Sequence, residues 1–198
     1  MDTKDTILKK TFQLLLQKGY DAVSISDIQK ATGLSRGILY HYFGNKEALF
    51  VEVTREYFMN WFYIDLREIA DFDVEAMIAR MESMYRDIFI KSWLEFEQAD
   101  GISIRNYDFL FYRVMQENKE FEREYMRARE TELEAWKIVL RNARRAGKLR
   151  EGVDPDRTAR YFIYLLDGIW LNAVNECDVR RLVSDMKEVI YNFYQLIK

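Results

Sequence analysis

A chain of 198 residues with 30 Lys and Arg against 33 Asp and Glu, net −3, can bury a sizeable core in one domain or two small ones. One Pro and 8 Gly are few breaks for this length, which argues for long helices with short connections rather than many strands. The single cysteine, Cys177, excludes an intramolecular disulfide and suits a reducing compartment. The longest apolar run, Tyr161–Leu166, is cut by Asp167, far short of the roughly 18 residues of a membrane span. The opening MDTKD lacks the basic and apolar regions of a secretion signal. A soluble, cytoplasmic protein without membrane contact is expected.

The charge is unevenly distributed. Residues 1–48 hold Lys4, Lys9, Lys10, Lys18, Lys30, Arg36 and Lys46 against Asp2, Asp5, Asp21, Asp27 and Glu47, a small positive excess. The remainder is net negative. That sign suits an N-terminal nucleic-acid module.

In chain order, residues 3–18 place Ile7, Leu8, Phe12, Leu15 and Leu16 on one side of a helix, and Gly19 ends it. SISDIQKA (24–31) opens a short second helix with Ser24 as N-cap and Asp27 three residues on. TGLS (32–35) supplies a turn at Gly33 and a cap at Ser35 for a third helix, 36–43. Asn45 caps a fourth. Further helices are expected near 45–70, 74–97, 104–117, 119–146, 155–175 and 179–197, with breaks at DFD (71–73), ADGIS (99–103) and AGKLREGVDP (146–155). Asp154-Pro155, a cap followed by Pro at the first helical position, is the sharpest start. The fold class is all-α.

Two short helices joined by a Gly-containing turn and braced by a longer one form a helix-turn-helix. The second of the pair enters the major groove in such motifs, its N-terminal residues at base edges. Ile38, Leu39 and Phe43 are the positions expected to pack on Ile28, Leu34 and the first helix. That leaves Ser35, Arg36, Gly37, Tyr40, His41 and Tyr42 for the DNA, with Ser24 and Lys46 on the flanking backbone. Arg36 can grip guanine O6 and N7 or a phosphate, and Gly37 permits close approach of the backbone. Tyr40 and Tyr42 offer hydroxyls to phosphates, His41 can meet base or phosphate, and the fourth helix's first amides suit a phosphate beside Lys46.

The stretch SISDIQKATGLSRGILYHYFGNKEALF resembles the N-terminal signature of TetR-family transcriptional regulators. Ser35, Arg36, Gly37, Tyr40, Phe43, Lys46 and Glu47 fall on its pattern. Gln29, where a small apolar residue is common, and Gly44-Asn45, in place of a basic-small pair, depart from it. The strong resemblance covers roughly the first 50 residues. It implies a DNA-binding domain over 1–47 and an effector-binding and dimerisation domain over 48–198, acting as a ligand-responsive repressor on a palindromic operator.

The remaining residues bear on those two roles. Residues 155–175 carry Ala159, Phe162, Ile163, Leu166, Ile169, Trp170 and Ala173 on one broad apolar face, which Tyr161, Leu165 and Val174 widen. Such a helix is buried on two sides. With Leu182, Met186, Val189, Ile190, Phe193 and Ile197 at helical spacing, the last two helices suit half of an intermolecular four-helix bundle. The dimer interface is expected at Phe162, Leu166, Ile169, Trp170, Ala173, Met186, Ile190 and Phe193, and the alternative is that both helices complete the monomer core. Aromatic residues and Met crowd the central segment and suit a pocket for a small hydrophobic or aromatic effector. Trp61, Tyr85, Phe89, Trp93, Tyr107, Phe111, Tyr112, Met115 and Tyr125 are the expected lining.

Catalysis finds no support in the sequence. There is no Gly-rich phosphate loop, HExxH or G-x-S-x-G, and Cys177 with His41 is the only possible Cys/His pair. No cofactor or metal is expected. Glu130, Glu132 and Glu134 sit in RARETELEAW, whose alternating charges indicate a solvated helix face. An effector-independent DNA-binding regulator is the competing reading, with an enzyme or scaffold behind it. Repression and activation are not distinguished by the sequence.

Overall fold

The computed structural model describes residues 2–86, 93, 94, 96 and 101–198, the side chains of residues 60 and 61 excepted. Among these residues every regular secondary-structure element is a helix. The helices are α1 (Thr3–Lys18), α2 (Ile25–Thr32), α3 (Arg36–Phe43), α4 (Lys46–Phe58), α5 (Val74–Ser83), α6 (Ile104–Glu117), α7 (Lys119–Arg145), α8 (Pro155–Glu176) and α9 (Arg180–Ile197). No described helix is long and apolar enough to cross a membrane.

The expected starts and stops are made by the expected residues. Gly19 and Gly33 follow α1 and α2 in left-handed backbone, Gly33 at φ 73°, a conformation that costs a side chain with Cβ but not glycine. Asp154 caps α8 through the backbone amides of Asp156 and Arg157, with Pro155 at the first helical position.

The fourth helix is shorter than its apolar pattern suggests. It ends at Phe58 and runs into a 3-10 turn, Met59–Phe62, instead of continuing to 70. Beyond that turn, the Asp65 carboxylate accepts from the backbone N–H of Arg67 at 2.9 Å and clasps its guanidinium. A short carboxylate that captures a backbone donor two residues on competes with the helix ladder. The Arg67 guanidinium holds that carboxyl down to about 2. The helix expected over 74–97 is regular through Ser83 and opens into a π turn at 84–86, while 87–92 lie outside the described residues.

The chain packs as two compact units. The first combines residues up to Asn60 with the described part of 95–125, so that α6 and the opening turns of α7 join the N-terminal helices. Its centre is aromatic. Phe12 stacks on Tyr57 at 4.2 Å between ring centroids, Phe58 meets Tyr107 edge-on at 4.7 Å, and Phe111 meets Tyr125 at 5.0 Å. Ion pairs rim it: Arg113 to Asp21 at 3.0 Å, and Arg55 to Glu120 and Glu124, each at 2.8 Å.

The second unit holds 61–94 and 126–198. Trp136 of α7 stacks on Phe162 of α8 at 4.3 Å, and Met77, Val139, Leu166, Met186, Ile190 and Tyr194 close around them. Glu132 departs from the solvated face expected for it. It binds Arg129 at 2.7 Å with its side chain only 12% exposed, and burial pushes its carboxyl up. Alternating charge marks helical spacing but does not show which turn another helix covers, and α8 supplies the third partner through Asp167.

Candidate nucleic-acid interface

The N-terminal site is built by capped turns. The Ser24 hydroxyl accepts from the Asp27 amide while the Asp27 carboxylate accepts from the Ser24 amide and hydroxyl, a reciprocal cap on α2. Lys18 reaches the same carboxylate at 2.5 Å from the end of α1. The Lys18 ammonium, with the Ser24 donors, holds the Asp27 carboxyl well below the usual carboxylate range. Ser35 caps α3 by accepting from the Ile38 amide, and Asn45 caps α4 by accepting from the Ala48 amide at 2.7 Å. These caps set where α3 begins and hence which residues meet solvent.

Leu39 and Phe43 turn inward with Ile28, as their spacing predicts. Ser35, Arg36, Gly37, His41 and Tyr42 are exposed, Tyr40 and Lys46 are partly so, and the N-terminal end of α3 carries no acidic side chain. Arg36 and Tyr40 pair on this face: Arg36 Nη2 donates to the Tyr40 hydroxyl at 3.1 Å, and the guanidinium carbon lies 5.2 Å from the ring centroid. His41 and Tyr42 contact edge to face at 5.6 Å. Lys46 sits 5.0 Å from the centroid of the Phe50 ring at the start of α4.

Two expectations change. Ile38 was grouped with the packing residues, yet it is 40% exposed. Ile38 stands about 100° round the helix from Leu39, on the edge that turns to solvent, and adds an apolar contact to the open face. Ser24 lies on the surface as expected, but its hydroxyl is engaged by Asp27. Any phosphate contact there falls to what the cap leaves over.

The expected effector residues do not converge in one unit. Tyr107, Phe111, Met115 and Tyr125 belong to the first, where Tyr107 and Phe111 are buried among rings of α1 and α4, and the Tyr107 hydroxyl donates to the Tyr57 carbonyl at 3.0 Å. Tyr112 of the same helix is 58% exposed, on the side of α6 that carries the exposed Phe109, with its ring edge-on to that of Phe111 at 5.6 Å. Tyr85 and Trp93 belong to the second unit, Tyr85 within the π turn and packed against that unit's core, Trp93 buried. Phe89 and the side chain of Trp61 lie outside the described residues.

Of the expected dimer residues, Phe162, Leu166, Met186 and Ile190 are buried within the single chain, as is Ala173. The first four belong to the core of the second unit and cannot line a surface between two copies. The apolar spacing of α8 and α9 does not say which of two apolar faces turns toward the protein's own core. Ile169, Trp170 and Phe193 are half-buried. Among the described residues no group of three His, Cys, Asp or Glu side chains can hold a metal ion.

A three-helix N-terminal unit that exposes Arg36, Gly37, Ile38, His41 and Tyr42 along one short helix is a helix-turn-helix DNA-binding module. Residues 7–53 match the family model of bacterial regulatory proteins, tetR family. Over those residues the chain carries a helix-turn-helix domain of the tetR-family type. It is 25% identical over 154 residues to the HTH-type transcriptional repressor AcnR of Corynebacterium jeikeium, covering 76% of this chain and 70% of that protein. A TetR transcription regulator from Haloarcula marismortui superposes with a TM-score of 0.70 at 17% identity, covering 99% and 98% of the two chains. The regulator SmeT, solved as a complex with triclosan, superposes at 0.69 with 20% identity over 99% and 92%. At those identities the structures show a shared fold. The relatives are regulators rather than enzymes.

Proposed function

We propose that the protein is a homodimeric repressor that leaves a palindromic operator when a small hydrophobic or aromatic effector binds, with residues 1–47 holding DNA and 48–198 serving effector binding and dimerisation. The observation that carries the DNA half is the exposed face of α3, acid-free in its first turn, from which Arg36, Ile38 and Tyr42 project. Effector binding rests on the aromatic supply of the central segment. Tyr85 within its π turn is the best-placed described residue, since such single turns are frequent at functional sites. The triclosan complex of SmeT supports an effector of that chemistry. An effector that weakens operator binding must itself bind the DNA-bound form more weakly, by the same factor.

Dimerisation is supported by a face that the chain leaves open. Tyr161, Tyr164 and Leu171 of α8 are 47%, 64% and 56% exposed, and Gly168 lies between them with nothing within 4 Å of where a Cβ would stand. Positions 161, 164, 168 and 171 follow the alternating three-and-four spacing of a helix–helix seam. Val189 and Leu196 of α9 add exposed apolar positions seven residues apart. A second copy meeting this seam completes a four-helix bundle and relates two copies of α3 by a two-fold axis. Tyr164→Asp is expected to convert the dimer into a folded monomer. Sedimentation with circular dichroism checks it, and a dimer of unchanged affinity would remove α8 from the interface.

Selection of random duplex DNA on the purified protein, followed by fluorescence anisotropy across salt concentrations, tests the reading as a whole. The expected result is an enriched palindrome bound with a steep negative salt dependence. Added hydrophobic aromatic compounds, triclosan among them, are expected to release it. Release by none of them would leave an effector-independent regulator, and no enrichment from a folded dimer would overturn DNA binding itself.

A further inference from the structure

We infer that Tyr40 is a positioning residue for Arg36, and that the two act as one unit reading a guanine in each half of the operator. This rests on the DNA-binding reading above and adds to it the base being read and the residue that aims the reader.

An arginine at the first position of an exposed helix is a poor reader by itself, because its long side chain samples many rotamers and ordering it costs entropy on binding. Here the ordering is done before DNA arrives. Tyr40 stands four residues on, one helical turn away on the same face. Its hydroxyl accepts from Arg36 Nη2 at 3.1 Å, and the guanidinium lies within 5.2 Å of its ring. A guanidinium on an aromatic face gains a cation–π attraction that survives in the water-poor setting of a DNA groove.

Counting donors shows that the pair stays competent to read. A guanidinium has five N–H groups. The bond to Tyr40 uses one on Nη2, leaving the second Nη2 proton, both on Nη1 and the one on Nε. Two parallel N–H bonds to guanine O6 and N7 therefore remain available, the pairing by which arginine singles out guanine in the major groove. The Tyr40 hydroxyl, having accepted from Arg36, keeps its own proton to donate, and a phosphate is the acceptor at hand. The hydroxyl thus ties base reading to backbone position through one oxygen.

The neighbours leave this pair undisturbed. No acidic side chain lies in the first turn of α3 to draw the guanidinium away. Gly37, between the two, adds no side chain. The pair also explains why tyrosine serves at position 40 better than a residue chosen for phosphate contact alone, since a serine or lysine would supply no ring under the guanidinium.

The test uses the full-length protein on its selected operator, with each G·C pair of a half-site replaced in turn by A·T, and with 7-deazaguanine, which lacks the N7 acceptor, in place of guanine. One guanine per half-site is expected to stand out, its loss weakening binding about tenfold or more. Arg36→Ala is expected to erase that preference. Tyr40→Phe keeps the ring and removes the acceptor, and is expected to lower the guanine preference about three- to tenfold with an unchanged melting temperature. Wild-type preference in Tyr40→Phe would overturn the positioning role while leaving guanine reading in place. Arg36→Ala binding that falls equally on every sequence, with a shallower salt slope, would assign Arg36 to phosphate and overturn guanine reading. Failure of the selection to enrich any sequence would instead overturn the DNA-binding reading.

Discussion

Replacing Gly37 with alanine is expected to stabilise the protein and to weaken its hold on DNA, two effects of opposite sign from one methyl group. A methyl at Gly37 meets nothing nearer than Ser35 Oγ at 3.9 Å, an ordinary van der Waals distance. The residue is helical without the left-handed backbone of Gly33. Glycine in a helix costs roughly 0.5–1 kcal/mol relative to alanine because the unfolded chain has more freedom to lose. Nothing inside the chain accounts for accepting that cost. A surface that must approach α3 closely does, and the position beside Arg36 lies on the face assigned to DNA. Thermal melts are expected to rise by about 2–4 °C per kcal/mol gained for a chain of this size. Operator affinity measured by anisotropy is expected to fall about tenfold or more, because a methyl held at the contact keeps the backbone from closing on the groove and misplaces its neighbours by about an ångström. Unchanged operator affinity would show that α3 does not approach DNA through this stretch of backbone.

Phe162→Ala is the second large effect, and it separates core from interface. The side chain is fully buried within one chain, stacked on Trp136 at 4.3 Å and meeting Phe193 edge-on at 5.1 Å. Truncating a buried phenylalanine loses its transfer free energy and leaves a cavity, together about 3–5 kcal/mol. Out of a typical total of 5–15 kcal/mol, that is a large share of the protein's stability. Chemical denaturation at matched protein concentration is expected to show the loss directly, with the transition moved to lower denaturant. The contrast with Tyr164→Asp decides the assignment. A well-folded monomer from Phe162→Ala, with stability otherwise intact, would return Phe162 to the dimer interface.

The N-terminal half of the site was legible because its signals are local. Ser24 with Asp27, Gly33, Ser35 and Asn45 act within four residues of themselves, so reading them in order recovers α2, α3 and the start of α4. The family resemblance sits on those same residues. Ile38 was misplaced because the pattern showed an apolar residue beside another apolar residue, and only the direction of the first helix says which one turns in. Asp65 captures the Arg67 backbone amide, a side-chain contact that apolar spacing does not register.

Beyond residue 60 the sequence by itself determined that the chain is helical and where most helices begin and end, because propensity, capping and turn chemistry are properties of short segments. Tertiary structure alone decided which faces of those helices are spent on the chain itself. It placed Phe162, Leu166, Met186 and Ile190 in the core and left Tyr161, Tyr164 and Leu171 outside, although all seven fit an apolar helix pattern equally well. It also drew Tyr107 and Phe111 into the aromatic centre around Phe12 and Phe58, contacts between residues far apart in the chain. Burial free energy depends on area removed from water and not on which partner removes it, so a list of apolar positions is the same before and after that choice is made.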